Sequence, residues 1–317
     1  MCGDSEKQFG IVSKRVMYMN KSIKSNRRLN RKLRRKESFI GFLFCLPSSI
    51  GMILFFFVPF GVCVYMSLAE NLNLSKFVGF KNYIDILGSE AFRLAAWNTF
   101  KFNFTAVPLI MAVSLSVALL LYKKLKGYNF FRTVFIFPLV LPVASVVLFF
   151  QIIFSETGMI NNILGFFNVA PVNWVNSSNS FVMLLTLYLW KNSGYNIILF
   201  LSALNSIPKE YYEASGIDGA SALTQLRKIT LPLIIPYMFF ILVISFINSF
   251  KSFREAFILF GAHPNQSIYM IQHFMNNNFQ NLNYLRLAVG AIMIFMVIFL
   301  LVLLLFGLRK KAGDIEL

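Results

Sequence analysis

Four charged side chains stand where an apolar sequence has little ordinary use for them. Lys191 falls near the middle of one long apolar run, and Lys251, Arg254 and Glu255 fall in the far half of another. A charge inside a bilayer is costly and usually faces a polar interior or a partner. Asn248, Lys251, Ser252 and Glu255 recur at spacings of three and four, which places them on one stripe of a helix. With Asn192 and Tyr195 across the bundle, that stripe is the candidate lining of a solute path. In a second reading Lys251 and Glu255, four apart, neutralise each other and support packing.

Other chemistry has little to work with. The two histidines, His263 and His273, both lie in one polar loop, with no HExxH pattern and no CxxC pair, so metal and redox sites have no support. Cys45 and Cys63 fall within the first apolar run, where a thiol packs as a small hydrophobe, and Cys2 lies near the start of the basic arm. No GxxxxGK[ST] loop is present, so the chain itself has no device for holding a nucleotide's phosphates. An enzyme would need a cluster of titrating groups, and none is visible. The expectation is no catalytic residue, no metal and no cofactor bound by this chain.

A polar stretch of about thirty residues runs from Ile207 to Pro236 between two apolar runs, and carries Lys209, Glu210, Glu213, Asp218, Arg227 and Lys228. It is far longer than a turn requires. Pro208 suits the first turn of a helix, with Glu210 and Glu213 near the positive end of its dipole. Gly216 and Gly219 permit a sharp turn with positive φ, after which Ala220 to Lys228 can form a second short helix closing on two cations. Pro232 and Pro236 mark re-entry to the membrane. A helix-turn-helix with small side chains at Ala214, Ser215, Gly216, Gly219, Ala220, Ser221 and Ala222 lets another surface approach its backbone closely.

The elements that must position these residues are membrane helices. The 317 residues are 57% hydrophobic and include 37 Phe, with a mean hydropathy of +0.65. Apolar runs at roughly 39–69, 97–122, 133–154, 180–204, 233–260 and 284–308 can each cover a hydrocarbon core of about 30 Å as a helix. The fold class is therefore all-α, a polytopic protein of six transmembrane helices. The first run, behind a 38-residue basic lead and without a small-residue cleavage site, reads as a retained span.

The net charge of +17 is unevenly placed. Twelve of the 30 Lys and Arg precede Glu37, and ten more fall in the 123–132, 209–228 and 309–311 segments, all on one side of the six-span arrangement. The loops of the other side hold only Lys76, Lys81 and Arg93. Positive residues mark the cytoplasmic face, so both termini and the 207–232 hinge are expected inside. The basic arm, 1–38, reads as a segment held at anionic lipid headgroups, with no nucleic acid implied. The domain reading is this arm, a transmembrane domain over 39–308 and a basic tail over 309–317. In the first outer loop, FVGFKNYIDILGSEAF has room for a short interfacial helix ahead of Trp97.

The hinge also carries a resemblance. Glu213-Ala214-Ser215, then Gly219, Ile229 and Leu231-Pro232 fit the EAA-x3-G-x9-I-x-LP pattern of ABC importer membrane subunits, with Ser215 the one departure. Trp190, Gly194, Ile207-Pro208 and Ile217-Asp218-Gly219-Ala220 are similar to the carbohydrate-uptake subfamily, the relatives of maltose and glycerol-phosphate permeases. Phe77-Val78-Gly79-Phe80-Lys81-Asn82-Tyr83, Asn98-Thr99, Phe131-Arg132-Thr133 with Pro138, Gly158-Met159-Ile160-Asn161 and Trp174 fall where that subfamily places similar residues. The resemblance covers about 39–308, with its core permease region at about 94–308, and leaves out the basic arm. It departs at Gly261-Ala262-His263-Pro264, where relatives often carry a Gly-Gly-Pro turn.

The resemblance implies a permease in the cell membrane that pairs with a second permease, two cytoplasmic ATPase subunits and an external sugar-binding protein. ATP and Mg would reside on the ATPases. In such importers the EAA helix sits in a cleft of an ATPase, so Glu213 would meet a basic group there and Gly219 would let the surfaces close. Asn192, Tyr195 and the Asn248 stripe, with Lys191, then become the candidate lining of a sugar path, and packing by Lys251 and Glu255 would be against the second permease. A stand-alone ion-driven transporter is the alternative, but it predicts acidic residues at the midplane and the spans offer only Glu255.

Overall fold

The computed structural model describes residues 40–71, 76–122 and 127–313. The basic arm, Lys123, Lys124 and Lys126, and the side chains of the C-terminal basic cluster lie outside the described residues. Two compact units are distinguished, one up to Val62 and one from Cys63 onward. Among the described residues the fold is helical, with one isolated antiparallel bridge between Ala69 and Phe77.

Helix α1, Ile40–Ser67, is a long apolar rod in which Phe44, Phe55 and Phe56 are exposed. After the end of α1, which already belongs to the second unit, comes the short helix α2, Lys81–Gly88, where the sequence leaves room for one. Asn82 fastens it by donating to the carbonyls of Ser67 (3.1 Å) and Ala69 (2.8 Å). Helix α3, Glu90–Tyr122, starts well before Trp97 and runs 33 residues.

Helix α4, Tyr128–Val140, and α5, Val143–Ile153, occupy the third apolar run but bend by 102° at the break between them. The cause is local. Pro142 cannot donate a helical hydrogen bond, and a residue before proline is driven out of the α region; Leu141 is extended at φ −67°, ψ 138°. After the short helix α6, Met159–Phe166, the chain enters α7, Ser180–Asn205. The hinge follows with α8, Lys209–Ile217, and α9, Ala222–Gln225. A π-helical stretch, Leu226–Thr230, joins α9 to α10, Leu231–Phe250. The turn at Lys251-Ser252 separates α10 from α11, Phe253–Phe260. The chain closes with α12, Ile271–Gln280, and α13, Tyr284–Gly313.

All six apolar runs are helical, but they are not six uniform spans. Four described helical stretches are long and apolar enough to cross a membrane, or five if the bent α4–α5 pair counts as one. Helix α7 is long enough, at 26 residues or about 39 Å. It carries Lys191, Asn192, Ser193 and Asn196 in its middle, and it can do so because its neighbours shield it. Thirteen of its residues are buried, against α3 through Phe102, Ala106, Leu184 and Tyr188 and against α5 through Phe150, Met183 and Leu187.

Two polar clamps order the loops at the end of the bundle away from the hinge. Asn98 donates to the carbonyls of Gln266 (2.6 Å) and Tyr269 (3.0 Å), and the Ile271 N–H donates to Thr99 (2.9 Å), so the segment before α12 is tied to α3. Asn161 donates to the carbonyls of Ser155 and Val172 and accepts from Val172 N and Trp174 Nε1, closing the loop that contains α6. His273 is fully buried and its Nδ1 accepts from Met270 N, while burial pushes its pKa down to about 4, so the ring is neutral near pH 7.

The tightest helix crossing is set by one glycine. A Cβ on Gly194 of α7 would lie 1.9 Å from the carbonyl oxygen of Phe135 in α4. Gly194→Ala should therefore force the helices apart at an overpacking cost of about 1–3 kcal/mol or more, read as a lower melting temperature of the purified protein. Gly165→Ala, where an added Cβ meets nothing within 4 Å, serves as the unaffected control.

Candidate functional site

The hinge is built to hold one face and free the other. Pro208, extended at ψ 136°, precedes α8, whose first turn carries Glu210. The helix runs through Gly216 to Ile217 and ends in a Schellman motif, with Ala220 N donating to Ser215 O (2.9 Å) and Gly219 N to Gly216 O (3.1 Å). Gly219 has φ +76°, a left-handed conformation that L side chains rarely adopt. Gly216 is helical, so of the two glycines only Gly219 makes the turn. Ser221 caps α9 by accepting from Thr224 N, and α9 continues through the π stretch into α10. The second helix of the motif is thus the first turns of a span, rather than a separate helix ending at Lys228.

The held face consists of Ile207, Tyr212, Ser215, Gln225 and Thr230. Ile207 is buried in the cluster formed by Leu121, Phe200, Leu204 and Ile234, and the Tyr212 ring lies 6.5 Å from that of Tyr122. The hydroxyls of Tyr212 and Thr230 share a hydrogen bond of 2.9 Å. Gln225 Nε2 donates to Ser215 Oγ (3.0 Å) and to the carbonyl of Tyr212 (3.3 Å). Ser215, the departure from alanine in the EAA pattern, therefore stitches α8 to α9. Of the other motif residues, Ile229 is half-buried in the π stretch, while Leu231 packs on the cluster and Pro232 starts α10. Glu213, Ala214 and Gly219 are exposed, as is Ile217 at 89% of its surface.

Within the spans the candidate path residues separate into those that line a cavity and those that do not. A cavity of about 440 Å³ is lined by Asn192 and Tyr195 of α7, Ile244, Ile247 and Asn248 of α10, Lys251 in the following turn, and Leu139 at the end of α4. Outside that lining, Lys191 Nζ pairs with Glu255 Oε1, both side chains being about nine-tenths buried. Ser252 is also buried, and its hydroxyl donates to Ser249 O (2.8 Å). Asn248, Lys251, Ser252 and Glu255 do not share one continuous helix, because the Lys251-Ser252 turn ends α10 before α11 begins. The expected neutralisation of Glu255 by Lys251 is replaced by a cross-helix pair with Lys191.

Three residues that sequence reasoning missed brace this site. Tyr188 is fully buried and donates to Ser245 O (3.3 Å), and Asn196 donates to Ser245 Oγ (2.8 Å). Asn196 sits four residues after Asn192, and Ser245 three before Asn248, so the stripe logic extended by one turn in each helix would have found both. Two larger cavities lie elsewhere. One of about 530 Å³ includes Asp85 and Arg286, and one of about 540 Å³ is walled by Phe100, Phe104, Phe246 and Phe250; neither includes the path residues.

Residues 109–310 match the family described as binding-protein-dependent transport system inner membrane component. This chain belongs to that family. It is 30% identical over 241 residues to the trehalose/maltose transport system permease protein MalF of Thermococcus litoralis, covering 74% of this chain and 82% of the relative. It is 32% identical over 280 residues to the arabinooligosaccharides transport system permease protein AraP of Bacillus subtilis, covering 86% and 88%. Its fold matches a chain of a bacterial ABC transporter involved in the import of the acidic polysaccharide alginate. That match has a TM-score of 0.78 and 21% identity, and covers 90% of this chain and 99% of the other. The family is one of transport components and not of enzymes.

The buried Lys191–Glu255 pair is one element on which the integrity of this bundle can be tested. Removing one partner of a buried ion pair leaves an uncompensated charge at a cost of about 3–5 kcal/mol, whereas replacing both with apolar groups is often neutral. Lys191→Met should sharply lower the yield and thermal stability of the membrane-extracted protein. Lys191→Met combined with Glu255→Leu should recover most of that loss.

Proposed function

We propose that this chain is a membrane-spanning permease subunit of an ATP-binding-cassette importer, forming part of the path for a sugar or oligosaccharide delivered by an external binding protein. The observation that carries the proposal is the hinge, whose motif residues Glu213, Ala214 and Gly219 stand exposed on a helix fastened to the bundle by Tyr212, Ser215 and Gln225. The sugar class is supported by the trehalose/maltose and arabinooligosaccharide permeases among its relatives.

In this reading the partners are a second, similar permease, two cytoplasmic ATPases that carry ATP and Mg, and the binding protein. The concentration of Lys and Arg on the hinge side of the spans supports a cytoplasmic hinge with both termini inside. The exposed face of α8, with Tyr211, Glu213 and Ile217, enters a cleft of the ATPase. When ATP draws the ATPases together, the hinge moves with them, and the spans exchange an inward-open for an outward-open cavity. Asn192, Tyr195, Asn248 and Lys251 then face the sugar, with hydroxyl and amide groups suited to sugar hydroxyls, while Lys191, Ser252 and Glu255 lie outside that lining. The ion-driven alternative draws no support from Glu255, which is held by Lys191.

Glu213→Lys and Gly219→Asp test the coupling. In proteoliposomes holding the complete importer, each should cut substrate-stimulated ATP hydrolysis and uptake by roughly tenfold or more, with the protein still present in the membrane. Wild-type rates in both variants would remove the hinge from the coupling path.

A further inference from the structure

The charges around the 440 Å³ cavity do not cancel. Lys191 and Glu255, neither of which lines the cavity, neutralise each other, and the second carboxylate oxygen of Glu255, Oε2, is buried without a hydrogen bond, so neither oxygen bonds Lys251. The two ion pairs among the described residues are Lys191–Glu255 and the exposed Lys76–Glu70, and neither involves Lys251. Lys251 is exposed and is the one charged group among the cavity's lining residues, facing the same space as Asn192, Tyr195 and Asn248. Its place is fixed by a turn. Lys251 N donates to Asn248 O (3.0 Å), and Gln272 Nε2 donates to Phe250 O (2.8 Å), which ends α10 just before the lysine.

A cation on the wall of a space that closes around its solute loses water as the space closes. A neutral sugar offers it hydroxyl groups alone. A carboxylate or phosphate on the sugar offers a charge-assisted hydrogen bond that replaces the lost hydration. The Lys191–Glu255 pair has a second effect: by occupying Glu255, it withholds the nearest acid in sequence from Lys251 and leaves that charge for the solute.

We propose that Lys251, left unmatched because Lys191 engages Glu255, makes this cavity selective for a sugar bearing a negative charge, a uronate or a sugar phosphate. This rests on the reading of the cavity as part of a sugar path. The test is ATP-driven uptake by the reconstituted importer with its binding protein, using galacturonate trisaccharide, glucose 6-phosphate and maltotriose as probes. Wild-type importer should carry at least one of the two anionic probes in preference to maltotriose. Lys251→Gln should lower that uptake roughly tenfold or more, the usual worth of a hydrogen bond to a charged group, and leave maltotriose within about twofold. Uptake of the trisaccharide alone assigns a carboxylate, and of glucose 6-phosphate alone a phosphate. Failure to carry either anionic probe overturns the proposal, as does unchanged anion uptake in Lys251→Gln while Tyr195→Ala reduces it. If Tyr195→Ala and Asn248→Ala both leave uptake intact, the cavity is off the path and the underlying reading fails instead.

Discussion

A polar helix in an apolar solvent must find its partners among its neighbours, and the architecture of this chain follows from how α7 does so. In hydrocarbon an unsatisfied polar group costs several kcal/mol. Helix α7 carries Tyr188, Lys191, Asn192, Ser193 and Asn196 within three turns. Tyr188 and Asn196 bond to Ser245 of α10, Lys191 to Glu255 of α11, and Ser193 donates to the carbonyl of Leu189 within its own helix. The carbonyl of Ser193 accepts from Ser114 of α3. Three other elements are thereby committed to α7. The Gly194 contact brings α4 against it as well, backbone to backbone, because only a residue without a Cβ permits that approach.

The break in the third run brings its second half onto the same helix. A straight helix over 133–154 would carry α5 along the α4 axis. The Leu141-Pro142 break turns it instead, and α5 packs Val146, Val147 and Phe150 against Met183 and Leu187 of α7 and Leu259 of α11. Trp174, anchored by Asn161 in the neighbouring loop, packs on the same cluster. The far end of the bundle is therefore an apolar cluster around α7, and the middle is a polar one.

Helix positions and the hinge motif were legible in the sequence because each depends on local composition or on short spacing along the chain, whereas the Lys251-Ser252 turn takes the four residues of the polar stripe off a single helix. The break at Leu141-Pro142 was present as a proline but not used, since the run's hydropathy outweighed it. The partner of Glu255 could not be read, because a spacing rule offers Lys251 four residues away and has no access to a lysine 64 positions earlier on another helix. Gly194 shows the same limit. As a letter it matched a family pattern, while its reason is a carbonyl of α4 that only the folded chain brings near. Ser215 was visible as a departure from alanine, and its bond to Gln225 turns that departure into a stitch between α8 and α9.

The cavity and the hinge are two ends of one covalent arrangement. Helix α7 presents Asn192 and Tyr195 to the cavity and ends at Asn205, ten residues or about 15 Å beyond Tyr195. Helix α10 leaves the hinge at Leu231 and presents Asn248 about 26 Å along its length. The hinge is the direct chain connection between the two helices that supply the cavity's polar wall. It is fixed to both by side chains as well, through Ile207 among the α7 and α10 residues Phe200, Leu204 and Ile234, and through the Tyr212–Thr230 bond. A displacement of α8 cannot be absorbed by a slack loop, because its inner face is packed and hydrogen-bonded. Its attachments lead to α7 and α10, the helices that carry Tyr195 and Asn248. In the proposed importer, those two attachments are the route by which force on the hinge would reach the cavity.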